Sequence, residues 1–420
     1  MKPSPIFRYE ALIAQSSRLD RFVDLIYVIA LAVTLFRWML LIYNAIICPQ
    51  PAVGDEIHFL LYLQNIYDNG LVASLQNPIA INYTLLALPF GFVMDELVAL
   101  RLVNLLLLSF FIYYLFKKDL PHFKYIGLLV LFYTGKVGIF NVGINDALFV
   151  ISFAILLIEF VGLLRNGQLD YPDLFIISAF LSLTTRPLVV VYFPLILMVL
   201  WAVRSYGFHK LFRLKSVIIA FSIVLIHIPS IIENHIPSWD DKTSESDLTW
   251  AQRQYLAQLQ ANSGLRLEGT HPSWEEVRLY IEQQGENSLP KTFVESIFFD
   301  WNLTILEFFK DLFYSFKGLL LQTGALTFYF LFGLFKTKTW RENGFLFSFL
   351  PLLYALLVFS FIIISNVEWR WYAPAVLLLI SSVGHYLKSE GFGTSRVFMV
   401  SFSFSTFFLS AVGVYNLLIN

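Results

Sequence analysis

What most restricts the folds open to this chain is a recurring apolar run. Leu25 to Ile47 carries Arg37 as its single charged side chain, and comparable runs return along the whole sequence. Roughly 20 apolar residues in a helix cross the hydrocarbon of a bilayer, where every backbone N–H and C=O must find its partner within the segment. With 57% of its residues hydrophobic and 14% charged, the chain has more apolar surface than a soluble core encloses. It predicts an all-α integral membrane protein, a polytopic bundle of about eleven transmembrane helices. A net charge of −1 argues against nucleic acid as a partner, and the lone Cys48 excludes an intramolecular disulfide and a cysteine metal cage.

The spans fall near Leu25–Ile47, Leu97–Phe116, Tyr125–Phe140 and Ala147–Leu164. Two short helices meet at Arg186-Pro187 within 174–203. Further spans fall near Val217–Ile232, Gly318–Phe335, Phe345–Ile364, Trp371–Leu387 and Val397–Leu418. This gives an N-terminal membrane module over 1–233 whose first external loop is 51–96, an external segment over 234–301, and C-terminal membrane helices over 302–420. Met1 to Asp24 lacks the apolar core and cleavage site of a secretory signal, so the first span is expected to remain in the mature protein.

Short cytoplasmic loops are enriched in Lys and Arg. Lys117, Lys118, Lys124, Arg165, the Arg204/Lys210/Arg213/Lys215 cluster, Lys336/Lys338/Arg341, Lys388 and Arg396 fall on one side with the N-terminus, which makes that side cytoplasmic. The first loop, the Asn141–Asp146 turn, Arg186-Pro187, the acidic 234–300 segment and the Glu368–Arg370 turn fall on the other. In the first loop, Leu60, Leu63, Ile66 and Tyr67 with Asn69-Gly70 as a stop predict a short interfacial helix over Glu56–Asn69. Ile79–Met94, broken by Pro89 and Gly91, reads as a second interfacial segment. Asp240, Asp241, Glu245 and Asp247 open the external segment. It should hold helices near Leu248–Asn262 and Trp274–Gln284, the second opened by a Ser273/Glu276 capping box.

Asp55 and Glu56 stand at the head of the first loop, in a stretch with no Lys or Arg between Arg37 and Arg101. Asp55 after Gly54 suits a helix N-cap, and Glu56 suits the first turn. The same carboxylate could take a proton from an attacking hydroxyl, as a general base does, and the two roles are compatible. His58 either assists or faces lipid headgroups. Arg37, in mid-span, needs a polar surrounding, either an ion pair with Asp95, Glu96 or Glu159 or a ligand. Asp146 either positions an acceptor, holds a divalent cation with Asp55, or caps the fourth span. Trp369, Trp371 and Tyr372 either stack on sugar or isoprenoid, or sit in the aromatic belt of the bilayer surface. Asn82-Tyr83-Thr84 and Asn302-Leu303-Thr304 are glycosylation acceptors only in a host that modifies them.

The order of these features resembles the GT-C superfamily of membrane glycosyltransferases, which includes protein O-mannosyltransferases and bacterial aminoarabinose transferases. The likeness rests on Gly54-Asp55-Glu56 in the first external loop, Arg101 at the start of the second span, Thr185-Arg186-Pro187 between two short helices, and Glu368-Trp369-Arg370-Trp371-Tyr372-Ala373-Pro374 late in the chain. It covers most of 24–200 and is looser beyond. The resemblance implies an inverting hexosyl- or pentosyltransferase that moves sugar from a polyprenyl-phosphate donor to a glycan, lipid or protein acceptor on the external, periplasmic or luminal face. It also implies residence in a membrane such as the bacterial inner membrane. It implies Asp55 as base with Glu56, donor phosphate held by Arg101, Arg186 and Arg370, and a divalent cation, Mg or Mn, in some members only. Guanidinium fits that task because it offers phosphate a bidentate fork and keeps its charge; the alternative for each is snorkelling or positive-side placement, yet all three sit on the face where short-loop Arg is depleted. Two rivals stand beside this reading: a transporter or flippase of a lipid-linked substrate, and a lipid-linked glycan polymerase or ligase.

Overall fold

The structure is a computed structural model that describes residues 5–207, 213–240, 248–335, 346–389 and 392–419. Lys210, Asp241, Glu245, Asp247, Lys336, Lys338 and Arg341 therefore lie outside the described residues. Within them, regular structure is helical, apart from one antiparallel bridge between Ile79 and Asp240. In chain order the helices are α1 Pro5–Ile42, α2 Asp55–Asn69, α3 Leu71–Ser74, α4 Ile81–Gly91, α5 Glu96–Lys117 and α6 Phe123–Val137. There follow α7 Asp146–Asn166, α8 Pro172–Thr185, α9 Phe193–Tyr206, α10 Leu214–Asn234, α11 Trp250–Asn262 and α12 Trp274–Gln284. The last are α13 Phe293–Phe299, α14 Trp301–Thr323, α15 Ala325–Phe335, α16 Leu350–Phe361, α17 Ala373–Ser389 and α18 Phe392–Ile419.

Among the described residues five segments are long and apolar enough to cross a membrane: Asp20–Ile47, Glu96–Lys117, Asp146–Asn166, Leu214–Asn234 and Ser395–Ile419. They differ in what surrounds them. The apolar stretch of α7 is 94% buried inside the protein, against 22% for that of α10, so α7 is the central post and α10 a peripheral one. Helices α5, α8 and α17 pack on α7, while α1 lies along α18. Among the described residues four shorter helices are also apolar, Pro172–Thr185, Phe193–Arg204, Ala325–Phe335 and Leu350–Phe361, and α6, α14 and α17 pack with them in the bundle.

Several boundaries depart from the sequence reading. The apolar run expected to span Gly318–Phe335 is divided at Gly324, whose φ of +57° ends α14 and leaves α15 as a separate short helix. The helix start at Trp301 is set by Asp300, which accepts from the Asn302 and Leu303 amides. Asp95 does the same for α5, so it is a cap and not a partner for Arg37. The Ser273/Glu276 capping box opens α12 as expected, and an unforeseen one, Thr249/Gln252, opens α11. Helix α13, over Phe293–Phe299, was also unforeseen; Thr292 caps it.

The 248–299 segment has a small core of its own, Leu248, Tyr255, Leu256, Val277 and Leu289, and this core includes Ile363 from the stretch after α16. That stretch is held further by the Gly269 amide on the Ser365 carbonyl at 3.1 Å, and by the Ser365 amide on Gln254 Oε1 at 3.1 Å. The segment thus braces the turn at Trp369–Tyr372, which carries Arg370.

Candidate active site

Glu56 and Arg101 are placed first, because they fix the frame. Arg101, near the start of α5, donates from Nε and Nη2 to the two Glu56 oxygens at 2.7 and 2.8 Å, and both side chains are almost wholly buried. The Gly143 amide adds a bond to Glu56 Oε1 at 2.5 Å. A Cβ at Gly143 would stand 2.6 Å from Leu100 Cβ, so only glycine lets this loop come so close. Asn104, one turn on, donates to the carbonyls of Ile139, Val142 and Ile144 and shapes the same loop into α7. Glu56 was expected to share in catalysis and Arg101 to meet phosphate. Instead each answers the other's charge, and the pair pins α2, α5 and the loop before α7 together.

Asp55 is not the cap of α2, as the sequence reading allowed. Gly54 occupies the cap position with φ +58°, and Asp55 is the first helical residue. Its carboxylate accepts from Arg370 Nη2 at 2.8 Å. Asp146 is likewise the first residue of α7, after Asn145, and makes no cap bond of its own there. One of its oxygens meets Arg186 Nη1 and the other meets Arg370 Nη1 at 3.0 Å. Arg186 is brought to it because Pro187 forces the preceding residue into extended backbone, φ −145° and ψ 145°, which stops α8 there. Asn145 Nδ2 fixes the approach by donating to the Thr185 carbonyl at 3.2 Å. Glu368, part of the same motif as Arg370 but with no expected role, accepts from Arg370 Nε.

The outcome is one cluster assembled from residues hundreds of positions apart. Arg370 touches three carboxylates, Asp55, Asp146 and Glu368, and Asp146 is shared with Arg186. Three carboxylates against two guanidiniums leave one net negative charge. Burial would pull the Arg370 guanidinium below its usual range, but Asp146, Glu368 and Asp55 outweigh it and hold the proton more tightly than normal. Asp55 remains 23% exposed and Asp146 only 2%, so of the two it is Asp55 that an incoming molecule can reach. Arg186 Nε is buried with no hydrogen-bond partner, a donor left over in the cluster.

The other expected residues divide. His58 is exposed on α2, whereas Glu56, Phe59 and Leu63 form its buried face. Tyr372 is shut inside, its hydroxyl 2.8 Å from Ser315 Oγ, and is closed to any ligand. The Trp369 ring lies over Gly318, where a Cβ would come within 1.7 Å of it, and borders a cavity of about 280 Å³ with Gln258, Asp311, Tyr314, Gln322 and Asn366. Arg37 does not pair with Asp95, Glu96 or Glu159: it donates one bond, from Nη2 to the Gly135 carbonyl at 2.9 Å, and its Nε and Nη1 have no partner. Glu159 is committed to Tyr114, Lys118 and two backbone amides.

A divalent cation does not suit this arrangement. Such an ion wants several oxygens converging on one point. Here the Arg370 guanidinium already stands between Asp55 and Asp146, and among the described residues no group of three or more His, Cys, Asp or Glu converges on a common centre. Compared with known proteins, the chain matches no protein-family model, no curated protein and no solved structure.

Proposed function

We propose that this protein is a membrane glycosyltransferase of the GT-C kind, which moves a sugar from a polyprenyl-phosphate donor to an acceptor hydroxyl at the external face. In this reading the five long helices, the four shorter apolar ones, α6 and α17 together make the roughly eleven spans, and the Asp55 end faces away from the cytoplasm. The observation that supports it most is the single one that joins Asp55 to Arg370, and Arg370 through Asp146 to Arg186. A partly exposed carboxylate and two guanidiniums meet there, the groups that an acceptor hydroxyl and a donor phosphate would each require.

Each group then has a task. The donor phosphate, arriving from the bilayer, competes with the carboxylates for Arg370 and Arg186, and the unpartnered Arg186 Nε offers it a further hydrogen bond. Drawing Arg370 away raises the basicity of Asp55, because a carboxylate beside a guanidinium is a weak base and the same carboxylate alone is a better one. Asp55 takes the acceptor's proton as the acceptor oxygen bonds to the anomeric carbon. The bond from that carbon to the phosphate oxygen breaks, and its electron pair leaves on the phosphate, whose charge the two guanidiniums stabilise. Attack opposite the leaving group inverts the anomeric centre.

The test supplies purified protein with radiolabelled polyprenyl-phosphate sugars and an extract of envelope glycans, lipids and proteins. The native chain should transfer label, Asp55→Asn should lose about 100-fold or more, and EDTA should leave the rate unchanged. Undiminished transfer by Asp55→Asn would remove this carboxylate from the chemistry, and accumulation of intact donor across a vesicle membrane would favour a transporter.

A further inference from the structure

At the end of α7 remote from Asp146, a cavity of about 520 Å³ opens between the C-terminal ends of α5 and α7, the 167–171 turn and α17. Lys118, Arg165, Asp170 and His385 bring charge and hydrogen-bonding groups to its wall, and Ser381 and Ser382 face it from α17. The wall is firmly built. Glu159, fully buried, accepts from Tyr114 at 2.6 Å, from Lys118 at 2.7 Å and from the Asp170 and Tyr171 amides at 3.1 Å each. Asp170 adds a second carboxylate on Lys118 at 2.5 Å. The lysine charge is therefore answered twice. Arg165, only partly exposed, has no hydrogen bond or ion pair among the described residues, and neither has His385.

A guanidinium lining a cavity, with no partner among the described residues, calls for an anion, and its planar fork suits two phosphate oxygens. The volume is in the range of sites that hold organic ligands and far exceeds what an isolated ion fills. Lys117 also lines the wall, so Lys117, Lys118 and Arg165 stand against Glu159 and Asp170 with one positive charge in excess, and a net anionic group fits better than a zwitterionic one.

The geometry points to a second ligand site here, distinct from the Asp55 cluster, which takes an anionic phosphate ester of the phosphoglycerol class, with Arg165 on the phosphate. His385 supplies a further hydrogen bond, and Asp170 at the rim accepts from a glycerol hydroxyl. The group arrives either as the headgroup of a bilayer lipid or as a soluble ester. The site goes beyond the proposed transferase reaction, since nothing in it depends on Asp55 or Arg370.

Native mass spectrometry on detergent-purified, delipidated protein tests it, with phosphatidylglycerol, phosphatidylcholine and glycerol 3-phosphate as probes. The expected result is one phosphatidylglycerol held at least tenfold more tightly than phosphatidylcholine, with glycerol 3-phosphate competing for it. Arg165→Gln should weaken that binding at least tenfold. Ser381→Leu, which fills the cavity and leaves the charges in place, should do the same and serves where the arginine variant does not fold. Binding of glycerol 3-phosphate without the lipid assigns the site to a soluble ester. No binding of any probe, or equal binding by the native chain and both variants, overturns the proposal.

Discussion

Adjacent carboxylates can have opposite duties, and Asp55 and Glu56 show how. Glu56 is sealed in a bidentate pair with Arg101, both side chains no more than 4% exposed. Removing one member of such a pair leaves the other buried and uncompensated, which costs about 3–5 kcal/mol. Asp55 is partly open to water and shares its guanidinium with two other carboxylates, so its loss is cushioned. Glu56→Gln should therefore lower the unfolding free energy in detergent by about that amount, whereas Asp55→Asn should change it by less than about 1 kcal/mol. Equal destabilisation by the two variants would contradict this division of labour. Asp311 yields a second prediction. Burial, and then neighbouring Glu307, pushes its carboxyl up to about 7, and its Oδ2 has no hydrogen-bond partner. The native state thus keeps a proton that the unfolded chain releases near pH 4. Its contribution to stability is complete below that point and is lost as pH rises through about 7. Asp311→Asn should flatten the fall in thermal midpoint between pH 4 and pH 8; an unchanged slope would show that Asp311 does not titrate in this window.

Among the elements, what the sequence made legible were long apolar helices and local signals: Pro187 after Arg186, Asn69-Gly70 after α2, Ser273 with Glu276 before α12. These act over a few residues and can be read in one dimension. What escaped was set by contacts far apart in the chain. The division of α14 from α15 depends on Gly324, where a Cβ would stand 2.9 Å from Ser405 Oγ on α18, and no local pattern announces that approach. The pairing of Arg101 with Glu56 was hidden for the same reason, although both residues stood out individually, and so was the junction of Asp146 with Arg186. In the turn at Trp369–Tyr372 the flanking aromatic side chains set the aim of the arginine between them. Trp369 is pressed on Gly318 of α14, Tyr372 is bonded to Ser315 of the same helix, and Arg370 between them is thereby aimed at Asp55. Gly318→Ala has to displace the indole, an overpacking that costs about 1–3 kcal/mol. It should also cut sugar transfer at least tenfold by moving Arg370. Transfer at the native rate in a folded Gly318→Ala protein would separate the turn from the chemistry.

At the scale of the whole molecule, the ion pairs around α7 gather at its two ends, while Arg37 is buried apart from them. At the start of α7 lie Asp146, Asp55, Arg186 and Arg370; at its end lie Arg165, Lys118 and His385. Between them the core is apolar and closely packed, and α7 is buried along almost its whole apolar length. Such polarity is what a bilayer imposes, since charge is tolerated at its two surfaces and costly between them. It also makes the topology measurable with the native chain. Cys48, the lone cysteine, is exposed just after the turn that ends the first long segment, a few residues before Asp55. If the basic end faces the cytoplasm, a membrane-impermeant maleimide added to intact cells or spheroplasts should modify Cys48 without permeabilisation. Protection in intact cells, with labelling only after the membrane is opened, would invert the molecule and place the Asp55 cluster on the cytoplasmic side. A donor that presents its sugar outside would then never meet these residues, so the orientation of one cysteine decides whether the proposed chemistry has access to its substrate.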